Sequence, residues 1–364
     1  MVTDGASDSA FMSQALQLAE RGRGRTWPNP MVGAVVVSAQ GEILGEGYHE
    51  RAGGAHAEVR ALDAAGARAR GATLYCTLEP CCHMGRTGPC TERIVAAGIA
   101  RVVAAVEDPN PEVRGGGFAY LRAHGLRVDV GEAAGDAARQ NRPFFTFMRA
   151  RRPFVIMKVA VSRDGRVAAA PGTRTPLTSW ASARHAHRVR AEIGAIGIGS
   201  NTALVDDPQL TVREVERTQP VTRVIFDRRL RLPTTARVLS TREQGPVIIV
   251  TGPDAVASRA AHAKALADAG ATLTVVETPT LTAALQRLAE IPMVAVILEG
   301  GPTMHAAAWA EGVVDCVHHY AAPITLGGGG VPWLQEPILT GLESRRIERL
   351  GPDTFTEGYV HRVD

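Results

Sequence analysis

Aromatic side chains are scarce in this chain, at 5% of 364 residues, and the formal net charge is only +3. Proteins that grip single-stranded nucleic acid set aromatic platforms in a basic groove, so nothing here demands a nucleic-acid partner. Arg21, Arg23 and Arg25 read as a solvated turn. Long apolar runs are also missing. None reaches the ~18 residues a membrane helix requires, so no membrane partner is expected. The opening residues, "MVTDGASDSAFMSQ", carry acidic groups and no apolar centre, unlike a secretory signal. The expected compartment is the cytoplasm, where stable disulfides are rare. Only five cysteines occur, and four of them fall between positions 76 and 90. An odd, crowded set argues against a disulfide framework and for metal or thiol chemistry.

What is present describes a folded protein: 45% hydrophobic and 21% charged residues over a length that suits two domains. The first half alternates strand and helix patterns. Residues 31–38 form a short β-branched run, and 41–50 are expected to pair with it as a hairpin. Residues 56–66 read as a helix closed by Gly66. Residues 72–77 and 101–106 are strands flanking a helix at 90–98. That order predicts a mostly parallel sheet covered by helices, with ligand groups at strand ends and helix N-termini. The stretch "RQNRPFFTFMRARRPF" has neither periodicity and reads as a junction, with Arg151–Arg152 exposed, between domains at 1–150 and 151–364. Six more strand patterns follow, at 154–162, 194–200, 221–227, 246–252, 271–277 and 293–300.

Chemistry concentrates in "TLEPCCHMGRTGPC", Thr77 to Cys90, with "HAE" (His56, Ala57, Glu58) upstream. His56, Cys81 and Cys90 would hold zinc with a fourth position left for water. Zinc lowers the pKa of bound water from 15.7 to about 7. With His56 at a helix entrance, Glu58 faces that water as a proton shuttle. H-x-E followed by P-C and a second cysteine matches the signature of zinc deaminases, except that the cysteine gap is longer. A structural zinc would instead recruit Cys82 or His83 as a fourth ligand. Cys76, inside a strand pattern, reads as a small buried hydrophobe. In the second half, "GAIGIGSN" lacks the third glycine of a dinucleotide fingerprint. "VILEGGPTMHAA" is a strand, a glycine turn and a helix start suited to phosphate.

Together these stretches resemble the bifunctional riboflavin-biosynthesis deaminase–reductase family. "PNPMVGAVVV", "GEGYHERAGGAHAE", "TLEPCCHMGRTGPC" and "DPNPEVRGGG" resemble its deaminase half. "KVAVSRDGRVA", "NTALVDDPQLTVR" and "LEGGPTMHAA" resemble its reductase half. The resemblance implies a cytidine-deaminase-like α/β/α domain followed by a dihydrofolate-reductase-like α/β domain. It implies Zn2+ and NADPH as cofactors, and a small phosphorylated pyrimidine as substrate. That substrate is a diaminopyrimidinone carrying a ribosylamino phosphate, deaminated first and then reduced at the ribose. A homo-oligomer formed through the reductase domain is expected. Asn29, His49, His83 and Arg86 then line the deaminase site. Ala160, Thr202, Asp206 and the segment Gly301, Pro302, Thr303, Met304, His305, Ala306 and Ala307 fall on nucleotide positions. Lys158, Arg174, Arg190, Leu210, Arg213 and Glu299 fall on substrate positions of the reductase. Arg228 and Arg229, after the strand at 221–227, are candidates for the cofactor's 2′-phosphate. "GTRTPLTSW" departs from the family, with Arg174 and Pro176 replacing a small hydroxyl residue and a tryptophan; Trp180 lies just downstream. His185 and His187 read as helix surface, Cys316 as core, and 327–330 as a turn. The rivals are a nucleic-acid base deaminase with an accessory domain, and a zinc-stabilised binding module with a degenerate reductase half.

Overall fold

In the computed structural model, which describes residues 5–84, 88–217, 219–334 and 338–360, strand β1 (Gly33–Val37) is the hinge of the first sheet. It pairs antiparallel with β2 (Ile43–Tyr48) on one side and with β3 (Thr73–Cys76) on the other. Beyond β3 the sheet is parallel, through β4 (Arg101–Ala104) and β5 (Arg127–Val130). The sheet expected to be mostly parallel is therefore mixed, because the hairpin contributes its two antiparallel pairings. Side chains alternate across the pleat. Val36, Leu74 and Val102 point toward α2 (Ala57–Ala65), α3 (Cys90–Ala96) and α4 (Gly116–Ala123). Val35, Tyr75 and Val103 point toward α1 (Gly5–Glu20) and α5 (Ala134–Gln140). The result is a helix–sheet–helix sandwich.

The aromatic stretch that read as a junction is instead α6 (Arg142–Ala150), which buries Phe144 and Phe145 within the first unit. Pro143 sits in its first turn, where a missing N–H costs nothing. The chain divides into two units between Ala150 and Arg151. Arg152 is not exposed: it grips the Asp315 carboxylate with two hydrogen bonds of 2.6 and 2.8 Å.

The second unit carries a nine-stranded sheet. Its elements follow as β6 (Phe154–Val161), β7 (Arg166–Ala168), α7 (Trp180–Ile193), β8 (Ala195–Gly199), α8 (Ser200–Asp206), β9 (Thr222–Phe226) and β10 (Val247–Thr251). Next come α9 (Pro253–Ser258), α10 (Ala260–Asp268), β11 (Ala271–Val275), α11 (Leu281–Leu288), β12 (Ala295–Leu298) and α12 (Pro302–Ala310). The last are β13 (Cys316–Ala321), β14 (Val331–Pro332), β15 (Glu343–Leu350) and β16 (Asp353–Tyr359). The order is β11-β10-β9-β8-β12-β6-β13-β16-β15. Strands from β11 to β13 run parallel, and β16 and β15 close the sheet antiparallel. All six strand patterns of this half form strands. β15 and β16 had no sequence signal, because "ESRRIERL" is a charged edge strand without an apolar run. Helices α11 and α12 cover one face; α7, α8 and α10 cover the other. Topology changes direction where β8 and β12 meet, and parallel sheets bind ligands at the carboxyl ends of such strands.

Candidate active sites

Helix α2 can lie directly on β2 because Gly45 and Gly47 have no side chains. A Cβ on Gly45 would stand 2.2 Å from the Ala61 carbonyl oxygen, and one on Gly47 2.4 Å from that of Ala57. This close packing fixes the helix entrance. His56 is the N-cap residue with extended backbone, and Glu58 lies buried in the first turn. Opposite, Cys90 opens α3 immediately after Pro89. The backbone N–H of Cys90 donates to Cys81 Sγ at 3.4 Å, so a helix start faces the thiolate.

His56 Nδ1 stands 3.2 Å from Cys90 Sγ and 3.4 Å from Cys81 Sγ, and the three ligand atoms lie within 4.8 Å of one another. Tetrahedral zinc, with bonds of about 2.3 Å to sulfur and 2.0–2.1 Å to nitrogen, would set S···N separations near ~3.6 Å. The residues fit that ion. Cys81 is held well below the ordinary thiol range by the hydrogen bond from Cys90 and then by His56, while the partner Cys90 thiol is pushed up. Burial pushes the Glu58 carboxyl up to about 7, and it lies against Cys90 without joining the ligand group. Neither Cys82 nor His83 joins the cluster. Cys82 turns instead toward Gly116, where an added Cβ would meet its sulfur at 2.9 Å.

Asn29 and His49 stand beside this group. Asn29 Nδ2 donates to His49 Nε2 at 3.0 Å, while His49 Nδ1 donates to the Ala55 carbonyl at 3.2 Å, which sets a neutral tautomer. The His49 and His56 rings meet edge to face at 5.5 Å. His83 has a buried Nδ1 with no hydrogen-bond partner. Arg86 lies outside the described residues. Glu79 was missed by sequence reasoning although it stands in "EPC". Its buried carboxylate accepts from the backbone N–H groups of Asp108, Gly115, Gly117 and Phe118, pinning the "DPNPEVRGGG" loop against the site. Burial also pushes Asp108 up to about 7.

In the second unit, Lys158 on β6, Arg190 on α7 and Glu299 at the end of β12 converge. Arg190 binds Glu299 bidentately at 2.6 and 2.7 Å, and Lys158 Nζ stands 3.8 Å away. Burial alone would raise Glu299; Arg190 and then Lys158 overcome it and hold the carboxyl near 2. Burial lowers Lys158, which nevertheless sits over the Tyr320 ring at 5.5 Å. Arg190 also donates to the Thr211 carbonyl at 3.0 Å, and Arg213 to the Thr211 hydroxyl at 3.2 Å. Leu210 is buried with φ of +53°, between Asp207 and Glu214 that also have positive φ. Strained non-glycine backbone of this kind clusters at ligand sites. His187, expected on the surface, is buried, and its Nδ1 accepts the Arg213 backbone N–H at 3.3 Å. His185 packs on Phe355 at 4.5 Å and meets the Tyr320 hydroxyl at 2.9 Å. Both depart from expectation because α7 is wedged between the sheet and the 207–214 loop.

The ends of β8 and β12 bring the cofactor candidates together. Gly301 caps α12, with Pro302 next, and its N–H donates to Thr202 Oγ1 of α8 at 3.2 Å. Met304 and His305 are buried, whereas Thr303, Ala306 and Ala307 are exposed along α12. His305 donates through Nε2 to the Leu298 carbonyl at 3.2 Å and accepts at Nδ1 from the Trp333 indole at 3.1 Å. Ala160 lies on β6, two residues beyond Lys158. Asp206 ends α8, its carboxyl raised by burial against the nearby charge of Arg174. In the departing stretch, Trp180 is exposed and donates to Glu214 at 2.8 Å, so it ties α7 to the Arg213 loop. Arg228 and Arg229 line a cleft of about 640 Å³ with Gly252, Asp254, Arg259 and Glu277, at the carboxyl ends of β9 and β10.

Two family models cover this arrangement: the cytidine and deoxycytidylate deaminase zinc-binding region over residues 6–106, and the RibD C-terminal domain over 153–356. The riboflavin biosynthesis protein RibD of Aquifex aeolicus is 40% identical over 95% of this chain and 96% of its own length. That of Escherichia coli is 38% identical over 95% and 97%. Among solved structures, Acinetobacter baumannii RibD superposes with a TM-score of 0.87 at 36% identity, covering 98% of this chain and 99% of that one. A Thermotoga maritima diaminohydroxyphosphoribosylaminopyrimidine deaminase/5-amino-6-(5-phosphoribosylamino)uracil reductase superposes with a TM-score of 0.82 at 31% identity, covering 98% and 99%. A zinc-type cluster in one unit, a Lys158–Arg190–Glu299 charge cluster in the other, and relatives matched along nearly their whole length have one reading: the chain belongs to the RibD family of bifunctional riboflavin-biosynthesis enzymes, which join a zinc-dependent deaminase to an NADPH-dependent reductase.

Proposed function

We propose that residues 1–150 deaminate a diaminopyrimidinone bearing a ribosylamino phosphate, and that residues 151–364 reduce the ribosyl group of the product to a ribityl chain. The observation that carries the first half is the His56, Cys81 and Cys90 group with Glu58 buried beside it. Zinc, held by those three side chains, supplies a Lewis acid that makes water nucleophilic near neutral pH. Glu58 takes the water's proton and returns it to the departing amine. Its burial keeps that carboxyl from being levelled by solvent, which suits a group that must give and take a proton near pH 7. Asn29 and His49 hold the pyrimidine edge, and the unpartnered His83 Nδ1 offers it a further polar contact. Arg86 pairs with the phosphate.

In the second half NADPH supplies hydride. Gly301 and the start of α12 receive its phosphates, with Thr202 fixing the turn. Arg228 and Arg229 hold the 2′-phosphate from their cleft. Arg190 and Arg213 receive the substrate phosphate, while Glu299 orients Arg190 and Lys158 toward the sugar. The unit self-associates, and the enzyme works in the cytoplasm; its five cysteines form no disulfide, and no helix among the described residues is long and apolar enough to cross a membrane.

The test is to incubate the full chain with the phosphorylated diaminopyrimidine, with and without NADPH, and to weigh the products. Deaminated product alone without NADPH, and the ribityl compound with it, support this reading. Recovery of unchanged substrate from zinc-loaded protein would end it. Sedimentation of the full chain tests self-association, which a purely monomeric boundary contradicts.

A further inference from the structure

A second thiol–imidazole–carboxylate group lies in the reductase unit, made of residues that carry no role in either reaction, with Lys158 on the adjacent strand. Cys316 and His318 are two apart on β13, so their side chains leave the same face of the sheet. Glu357 sits on β16 directly opposite His318. Ligand atoms of the three lie within 4.8 Å of one another. Cys316 is 1% exposed and the His318 side chain 7%, whereas Glu357 keeps 24% of its side chain open. Val189 and Ile193 of α7 wall the thiol, and the Phe355 ring meets His318 edge to face at 5.3 Å.

An ion pair between His318 and Glu357 accounts for part of the group, since His318 helps to hold the Glu357 carboxyl near 2, but the pair is long. His318 Nε2 stands 3.8 Å from Glu357 Oε1, outside hydrogen-bond range, and Oε1 instead accepts the Tyr359 hydroxyl at 3.1 Å. His318 Nδ1 is buried with no hydrogen-bond partner. Buried nitrogens are rarely left so, and the ring's other nitrogen, Nε2, is the one that faces the Glu357 carboxylate, too far away for a hydrogen bond.

We propose that Cys316, His318 and Glu357 form a second binding site for a divalent ion of the zinc class. The donor set decides the class: magnesium and calcium take oxygen shells, whereas sulfur with imidazole selects zinc, cobalt or copper. Charge points the same way. Lys158 is in register with His318 on the adjacent strand, so a net cation there would be repelled. A thiolate and a carboxylate cancel the ion's two charges and leave the site neutral. Binding therefore releases one proton, from Cys316. A tetrahedral ion needs its donors roughly 3.3–3.8 Å apart, so the side chains close in by about 1 Å on binding. Water completes the shell from the open flank of Glu357. The ion braces β13 to β16 and steadies Tyr320, over which Lys158 rests; it takes no part in either reaction.

Full-length protein, stripped with chelator and dialysed against zinc chloride, is assayed for metal by mass spectrometry. Wild type is expected to retain two equivalents per chain. Cys316→Ala, His318→Gln and Glu357→Gln should each retain one and still deaminate, while Cys81→Ser combined with Cys90→Ser should retain the other and not deaminate. In that double variant, cobalt should give a thiolate charge-transfer band that disappears on adding Cys316→Ala. If Cys316→Ala does not fold, Glu357→Gln, altered at the open edge, gives the same reading. Saturation of wild type at one equivalent overturns the proposal, as does a second equivalent that survives Cys316→Ala with His318→Gln.

Discussion

Replacing Glu299 by glutamine keeps its shape and removes its charge from between two buried cations. Glu299 is shifted from 4.5 to about 2 by its surroundings. At about 1.4 kcal/mol per unit, that shift is worth about 3 kcal/mol of stability at pH 7. The figure agrees with the ~3–5 kcal/mol usually lost when one partner of a buried pair is removed. The sign is that of a depressed carboxyl: the contribution is complete above the ordinary value of 4.5 and disappears as pH falls through about 2. Urea unfolding at pH 7, followed by tryptophan fluorescence, reports on the right unit, since Trp180, Trp309 and Trp333 lie in it and only Trp27 does not. Glu299→Gln should lower unfolding free energy by about 3 kcal/mol, within a factor of two, and should also cut NADPH oxidation by freeing Arg190. A loss below about 1 kcal/mol, the level of an exposed pair, would refute the electrostatic account of this cluster.

Cys90→Ser should lose one zinc equivalent and all deamination, whereas Cys82→Ser should keep both, checked by metal analysis and ammonia release. Arg228→Ala and Arg229→Ala together should raise the Michaelis constant for NADPH roughly tenfold or more, in line with a charge-assisted contact of about 1.5–3 kcal/mol, and should leave that for NADH unchanged. His319 is lowered to about 4 by burial, so it favours folding above pH 6.5 and this support is lost as pH falls toward 4. His319→Phe, which keeps the ring against Trp333, should remove about 3 kcal/mol of acid destabilisation between pH 6.5 and 4 by thermal unfolding.

Sequence reasoning singled out His56, Cys81 and Cys90, whose donor atoms the fold brings within 4.8 Å of one another, because metal chemistry constrains residue type and spacing together, and "HAE" with two "PC" pairs leaves few alternatives. It reached the parallel strands of the second unit because strands covered on both faces are continuous apolar runs. It failed where position depends on tertiary partners. Arg142–Ala150 alternates no more clearly as a helix than as a loop until Phe144 and Phe145 find the first unit's core. His187 diverges from His185 by two residues, but α7 is covered on more than one side, so both are engaged. Glu79 gives no local hint that four backbone N–H groups will converge on it from residues 108–118. Cys316 read correctly as core, yet nothing in one strand's sequence reveals that Glu357 will stand opposite His318.

The proposed function puts two chemistries in separate units, the first driven by proton transfer through Glu58. Glu58→Gln tests it most directly, with zinc content, deamination and reduction of supplied deaminated intermediate measured on one preparation. Wild-type zinc content, deamination reduced by about 10²–10⁴, and NADPH oxidation at close to the wild-type rate are expected. Unimpaired deamination would contradict the role of Glu58, and loss of both activities in folded, zinc-loaded protein would contradict the separation.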